Sequence, residues 1–220
     1  MSATFATLQQ HLHTAGIELD SAQSDALPRY VDLLLEWNRS INLISRKDEE
    51  QVWLHHILHS LAPLFMRRLP VVATYIDLGS GGGLPGIPLA IMLPESSFVL
   101  VDSIGKKMRA VEAIVTALGM GNVRCVAGRI EEQTRLRQSV DVVLARGVTR
   151  MLALSRWSWP LFRRDGQRLL MAWKGGDIAA ELAEARQHAG VQHTEVLDIV
   201  LEGEPWFNNE EKKLIEVRFT

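Results

Sequence analysis

Apolar residues recur at three- and four-residue spacing through the first third of the chain and then give way to short unbroken apolar runs. Between Phe5 and Leu69 the period is helical, clearest at Tyr30, Leu33, Leu34 and Trp37, which fall on one face. After Pro70, apolar runs alternate with helical stretches, the pattern of a parallel sheet with crossover helices. Strands are expected near 74–79, 97–102, 123–128, 140–146, 167–173, 193–201 and 212–219, with a helix from Lys106 to Leu118 after the second. An irregular loop, Pro205-Trp206-Phe207-Asn208-Asn209, joins the last two and predicts a closing antiparallel hairpin. The expected organisation is a helical cap over 1–70 and a Rossmann-like α/β body over 71–220.

The first strand runs into Asp77-Leu78-Gly79-Ser80-Gly81-Gly82-Gly83-Leu84-Pro85-Gly86-Ile87-Pro88. A nearly side-chain-free loop at a strand's carboxyl end is where open α/β sheets bind ligands. Two patterns overlap here. Asp77-x-Gly79-x-Gly81-x-Gly83 fits S-adenosylmethionine, and Gly81-x-Gly83-x-x-Gly86 fits a dinucleotide. Charge favours the first, because a carboxylate holds the ammonium and sulfonium cations of S-adenosylmethionine and repels a pyrophosphate. The second strand ends at Asp102, about twenty residues after the loop, where a ribose hydroxyl pair is gripped in nucleoside sites.

Composition adds a bound and an asymmetry. With 220 residues, 47% of them hydrophobic, the chain can bury one full domain core plus an extension. The start, from Met1 to Gln10, lacks a basic region followed by an apolar stretch, and no eighteen consecutive residues are apolar, so a soluble cytoplasmic protein is expected. The single cysteine, Cys125, lies in an apolar strand, which fits buried packing and a reducing compartment. The net charge of −2 hides a segment, 106–174, holding fourteen Lys or Arg against five Asp or Glu. A basic face for nucleic acid is therefore expected, with paired helix faces as its alternative.

The ordered set His56-Ile57-Leu58-x-Ser60, the glycine loop through Ala90, Asp102-Ser103-x-Gly105-Lys106-Lys107, Arg129-x-Glu131-Glu132, Ala145-Arg146 and Lys174-Gly175 resembles the RsmG (GidB) family. That resemblance implies a class I S-adenosylmethionine-dependent fold with a seven-stranded, mostly parallel sheet, and methylation of guanine N7 in 16S ribosomal RNA. It implies cofactor contacts from Gly79, Leu84, Ile130, Glu131 and Arg146, alongside Asp77, Gly81, Gly83 and Asp102 from the loop and second strand. It also implies a small-subunit ribosomal RNA partner, met within a ribosomal particle by a monomer. Where the family usually reads Arg-His-Ile-Leu-Asp-Ser, this chain has His55-His56-Ile57-Leu58-His59-Ser60, and two titratable imidazoles replace a cation and an acid.

Guanine N7 bears a lone pair and no hydrogen, so its methylation needs alignment and no general base. Arg146 and Lys174, near strand ends, are the expected contacts to guanine O6 or a phosphate. Lys106, Lys107 and Arg109 open a helix, where the dipole disfavours cations, so phosphate contact is expected of them. Arg67, Arg68, Arg163 and Arg164 are further candidate anchors. His55, His56 and His59 have no H-E-x-x-H context, and no metal is expected. Of the six tryptophans, at least four are expected in the core. Competing readings are a nicotinamide-dependent oxidoreductase, a methyltransferase acting on another substrate, and a non-catalytic ribosome-assembly factor.

Overall fold

The structure, a computed structural model, describes residues 3–220. Met1 and Ser2, which fall in the helical segment expected over 1–70, lie outside the described residues. Two helices open the chain, each with a reciprocal capping box: α1 (Phe5–Thr14) on Thr4 and Thr7, and α2 (Ser21–Asn38) on Asp20 and Gln23. A 3₁₀ turn, Arg46–Gln51, leads into a π-helix, Val52–Leu58, which continues as α3 (His59–Phe65).

The remainder alternates as β1 (Thr74–Leu78), α4 (Gly86–Met92), β2 (Ser97–Asp102), α5 (Gly105–Ala117), β3 (Val123–Ala127), β4 (Val142–Arg146), α6 (Met151–Ser158), β5 (Leu169–Gly175), α7 (Ala179–Ala185), β6 (Val191–Asp198), α8 (Trp206–Asn209) and β7 (Lys212–Phe219). The seven strands form one sheet in the order β3-β2-β1-β4-β5-β7-β6. The first five strands are parallel, and β7 runs antiparallel between β5 and β6. The closing hairpin expected from the irregular loop is thus present, with β7 inserted beside β5.

Strand alternation sends side chains to two cores. Tyr75, Phe98, Leu100 and Leu144 face α1 to α5, whereas Ile76, Leu78, Val99 and Val143 face α6 and α7. The N-terminal helices share the first of these cores with the sheet. Three strands differ from the periodicity by two residues or more at an end. Val140 forms only an isolated bridge to Phe162, so β4 begins at Val142. β5 extends to Gly175 because β7 continues to pair with it as far as Lys212. β6 starts at Val191, bulges before His193 and ends at Asp198.

The tryptophans pack on the cores as expected, most of them from partly exposed positions. Trp173 is fully buried, while Trp37, Trp53, Trp157, Trp159 and Trp206 pack against the cores from half-buried positions. An indole has an apolar body and a polar edge, and at element ends the edge stays near water. Cys125 is likewise half-buried and free, its thiol pushed up to about 11 by burial and then by Glu112.

Candidate functional site: a groove and a cavity at the carboxyl ends of the strands

Two hollows lie at the carboxyl end of the sheet. The smaller, about 130 Å³, is lined by Leu78, Gly79, Val101, Asp102, Ile130, Glu131, Val148 and Trp157 among others. Gly79 adopts φ +65, and a Cβ there would stand 2.9 Å from Val148 Cγ2, so the loop can carry no side chain at this point. Asp102 accepts from Gly81 N at 2.9 Å and from Ile104 N at 2.8 Å, which ties the glycine loop to the start of α5. A carboxylate accepts at four lone-pair positions, and these two bonds leave capacity for hydroxyl groups. An apolar slot of Val101, Ile130 and Trp157 beside two carboxylates suits an adenosine carrying a nearby cation. The residues present therefore fit S-adenosylmethionine.

The larger cavity, about 700 Å³, lies between the N-terminal helices and the ends of β4 and β5. Its walls include Asp48, His55, His56, His59, Arg146, Trp173, Lys174, Trp206 and Lys212. The three histidines reach it because the π-helix ends where α3 begins, and inserted π turns are often found at functional sites. Pro63 has no N–H to give to the carbonyl of His59 four residues earlier. Trp173 Nε1 donates to that carbonyl at 2.7 Å, locking β5 to the helical segment. Arg146 Nη1 donates to His55 O at 3.3 Å, and its Nη2 reaches His56 Nδ1 at 3.1 Å. His55 Nδ1 lies 2.9 Å from Asp48 Oδ1, and the His55 ring stacks on Trp206 with centroids 4.3 Å apart.

The electrostatics are those of a nearly enclosed cation. Burial lowers the Arg146 pKa, while Tyr30, Asp77 and Asp48 raise it. No carboxylate lies within ion-pair distance of Arg146 among the described residues. Burial, followed by Arg146, pushes His56 down to about 3 and His59 well below the usual imidazole range, so both are neutral near pH 7.

The chain matches the family described as rRNA small subunit methyltransferase G (GidB) over residues 23–211. It belongs to that family. A relative from Chlorobium luteolum named ribosomal RNA small subunit methyltransferase G is 45% identical over 170 residues, covering 77% of this chain and 70% of the relative. A namesake from Staphylococcus saprophyticus is 37% identical over 197 residues, covering 89% of this chain and 82% of its own. Among solved structures, a SAM-dependent methyltransferase from Aquifex aeolicus superposes with TM-score 0.55 at 12% identity, over 74% of this chain and 92% of that one. The YcgJ protein of Bacillus subtilis gives 0.53 at 11%, over 74% and 98%. These likenesses show the fold, a Rossmann-like methyltransferase fold. The nicotinamide reading of the glycine loop is thereby set aside.

In this rRNA small subunit methyltransferase G family member, the residues read from the sequence divide between three places. Gly79, Asp102, Ile130 and Glu131 line the groove. Arg146 and Lys174 line the cavity, so the Arg146 side chain is placed on the side of the histidines. Asp77, Gly81, Gly83 and Leu84 line neither. Asp77 is fully buried on the opposite sheet face from Leu78, and its Oδ2 accepts from Gly86 N at 2.9 Å, at the start of α4. Gly81 faces Leu43, Gly83 packs on Ile87, and Leu84 is buried in the core shared with the N-terminal helices. Tyr30 Oη donates to Gly82 O at 2.9 Å and fastens α2 to the same loop.

Several cations change role. Lys174 pairs with Glu181 at 2.7 Å and donates to Thr149 O at 2.8 Å, so it holds the loop after β4 rather than offering a free charge. Arg68 is bidentate to Glu195, and Arg163 is held by Asp141 and Thr74, so neither is a free phosphate anchor. Arg67 donates to Ala15 O, and Arg164 is exposed beside Arg168 on another surface. Lys106 and Arg109 are exposed, Lys107 is half-exposed, and none of the three has an ion-pair partner among the described residues. Among the described residues no three His, Cys, Asp or Glu are grouped to hold a metal, and no helix is long and apolar enough to cross a membrane. Sequence reasoning passed over Asp48 and Lys212 at the cavity, and weighed Trp157 and Trp206 only as core or stacking residues. The available signal was Pro63, which within α3 leaves the carbonyl of the last of the three histidines without its helical donor.

Gly79→Ala tests the groove. The added methyl meets Val148 in a backbone conformation that costs a non-glycine residue about 1 kcal/mol. Titration calorimetry is expected to show S-adenosylmethionine affinity reduced at least tenfold in a folded protein. Unchanged affinity would remove Gly79 from the site.

Proposed function

We propose that this chain transfers the methyl group of S-adenosylmethionine to N7 of one guanine in small-subunit ribosomal RNA. Family membership carries the methyl donor and the RNA substrate, and the geometry supports the finer reading of base and atom. The observation that carries it is the end of β4. Arg146 and Gly147 line the cavity and Val148 lines the groove, so one short stretch of backbone separates the two hollows. A donor held in the groove and a base held in the cavity would meet at that stretch.

In the proposed complex Asp102 takes the ribose hydroxyls, Ile130 and Val101 flank the adenine, and Glu131 lies beside them. S-adenosylmethionine supplies an electrophilic methyl group. N7 lies on the major-groove edge, which A-form RNA hides from side chains, so the guanine must come from a loop or leave its stack to enter the cavity. Its lone pair attacks directly and no proton is removed, which agrees with a cavity whose buried histidines His56 and His59 are neutral. The product base carries a positive charge. Arg146 therefore belongs at the rim of the base, on O6 or a phosphate, and not at N7. Lys174 acts through Thr149 as a positioning residue. The segment 1–70 serves as the cap that brings the three histidines over the strand ends. The enzyme works as a cytoplasmic monomer on a ribosomal particle.

Transfer of labelled methyl from S-adenosylmethionine to small subunits that lack their own modifications tests the reading. Cleavage at 7-methylguanosine is expected to map a single position. Cofactor binding without label in the RNA would overturn it in favour of an assembly factor.

The start of α5 is proposed to meet the RNA backbone through Lys106, Lys107 and Arg109. Each neutralised phosphate adds about 0.7 to 0.9 to the slope of log affinity against log salt. Lys106→Ala with Arg109→Ala is expected to lower that slope by between one and two in filter binding to small subunits. An unchanged slope would remove this face from the interface.

A further inference from the structure

His56 carries a hydrogen-bond arrangement that the proposed chemistry has not yet used. Arginine only donates, so the contact of Arg146 Nη2 with His56 Nδ1 at 3.1 Å makes Nδ1 the acceptor. A neutral imidazole that accepts at Nδ1 carries its proton on Nε2. That Nε2 is buried and has no hydrogen-bond partner, the nearest acid oxygen, Asp48 Oδ2, standing 3.9 Å away. Asp48 gives its other oxygen to His55 at 2.9 Å. The guanidinium is also under-used, because its two bonds to His55 O and His56 Nδ1 leave further N–H groups available. Buried donors without acceptors are rare in folded proteins and call for a reason. Here the buried donor is His56 Nε2, on a residue that lines the cavity.

We propose that His56 and Arg146 form one donor-only unit that reads O6 of the target guanine, with His56 Nε2–H donating to O6 and thereby selecting guanine over adenine. The inference rests on the guanine-N7 reading above. On its N7 edge guanine presents two acceptors, N7 and O6, whereas adenine presents N7 and an amino donor. N7 must stay open to the methyl group, so O6 is the acceptor left for the protein. An amino group in its place would meet a second donor, with nothing to accept its hydrogen. A neutral imidazole also suits the product, since it holds O6 without adding a second positive charge beside a base that becomes cationic. The facing charged and titratable groups are Asp48, His55, His59, Arg146, Lys174, Glu210 and Lys212, and none is hydrogen-bonded to His56 Nε2.

The test compares small subunits reconstituted with ribosomal RNA carrying either guanine or 2-aminopurine at the methylated position. The analogue keeps N7 and lacks O6. The native enzyme is expected to use guanine about ten- to hundredfold better in kcat/KM, the range for one buried hydrogen bond. In His56→Ala that ratio is expected to fall several-fold, the remainder being what Arg146 still supplies to O6. His56→Gln supplies both an acceptor for Arg146 and a donor, and is expected to retain most of the ratio. Should the alanine variant not fold, the same loss of ratio is required of His56→Phe. A variant that keeps the native ratio while losing overall rate would show a purely structural His56 and overturn the inference, leaving guanine-N7 transfer intact. Absence of N7 transfer by the native enzyme would overturn both.

Discussion

Arg146→Ala is expected to lower methyl transfer at least a hundredfold while the protein stays folded. Arg146 ends β4, the strand that pairs with β1 and β5 at the centre of the sheet, and its backbone position is set by Trp173 beside it on β5 and by Ala145, paired with Leu78, before it. Its side chain is the one cation of the cavity wall whose hydrogen bonds run to a carbonyl and a neutral ring, with no carboxylate to cancel it. By contrast Lys174 is neutralised by Glu181, and Lys212 lies over the Trp206 ring at 4.8 Å. A preorganised charged donor removed from such a site costs about 3 to 4 kcal/mol of transition-state stabilisation, hence the hundredfold or larger effect. The fold survives because removing a half-buried, under-paired guanidinium also removes its desolvation cost, which offsets the two bonds lost. Arg146→Lys is expected to fall between the two, since an ammonium cannot span His55 O and His56 Nδ1 with the same fork. Single-turnover transfer at saturating S-adenosylmethionine, with thermal melting as a fold check, reads the result. A near-native rate in Arg146→Ala would place the base elsewhere.

The groove was more legible in the sequence than the cavity, and the reason is distance along the chain. Gly79, Asp102 and Ile130 follow successive parallel strands, so the recurring strand-to-loop pattern puts them side by side once the strands are recognised. The cavity instead gathers residues near positions 48–59, 146–147, 173–175 and 206–212, which no local period connects. Its histidines depend on a π turn, and hydrophobic periodicity does not separate a π turn from an α turn over seven residues. Charge runs misled for the same reason: Arg68 looked free because its partner Glu195 is 127 residues away. Asp77 shows a different failure. A carboxylate before a glycine loop reads as a cation holder, yet one step of strand alternation turns it from the groove that Leu78 lines to the amino end of α4.

That placement gives Asp77 a measurable signature of its own. Burial, the largest influence, raises its carboxyl from an ordinary value near 3.8 to about 7, against the lowering effects of the Gly86 N–H and Arg146. Its Oδ1 has no hydrogen-bond partner, so little holds the ionised form there. The native state therefore keeps a proton that the unfolded chain has already lost between about pH 4 and pH 7. Stability rises with pH only where the unfolded state binds more protons, and here it binds fewer. Asp77 thus contributes its full share below pH 4, and that share drains away as the pH climbs to about 7. Asp77→Asn keeps an acceptor for Gly86 N and does not titrate. Between pH 5 and pH 7 the wild type is expected to lose about 2 kcal/mol relative to Asp77→Asn, the slope of about 1.4 kcal/mol per pH unit halving as the native carboxyl itself ionises near pH 7. Urea unfolding of both proteins at intervals across that range measures the difference. A constant difference would mean that Asp77 is ionised throughout, with Arg146 and the amino end of α4 holding its charge more firmly than burial opposes it. In Arg146→Ala the opposing cation is gone, so the drain is expected to extend to higher pH, which links the carboxyl behind the glycine loop to the guanidinium at the base.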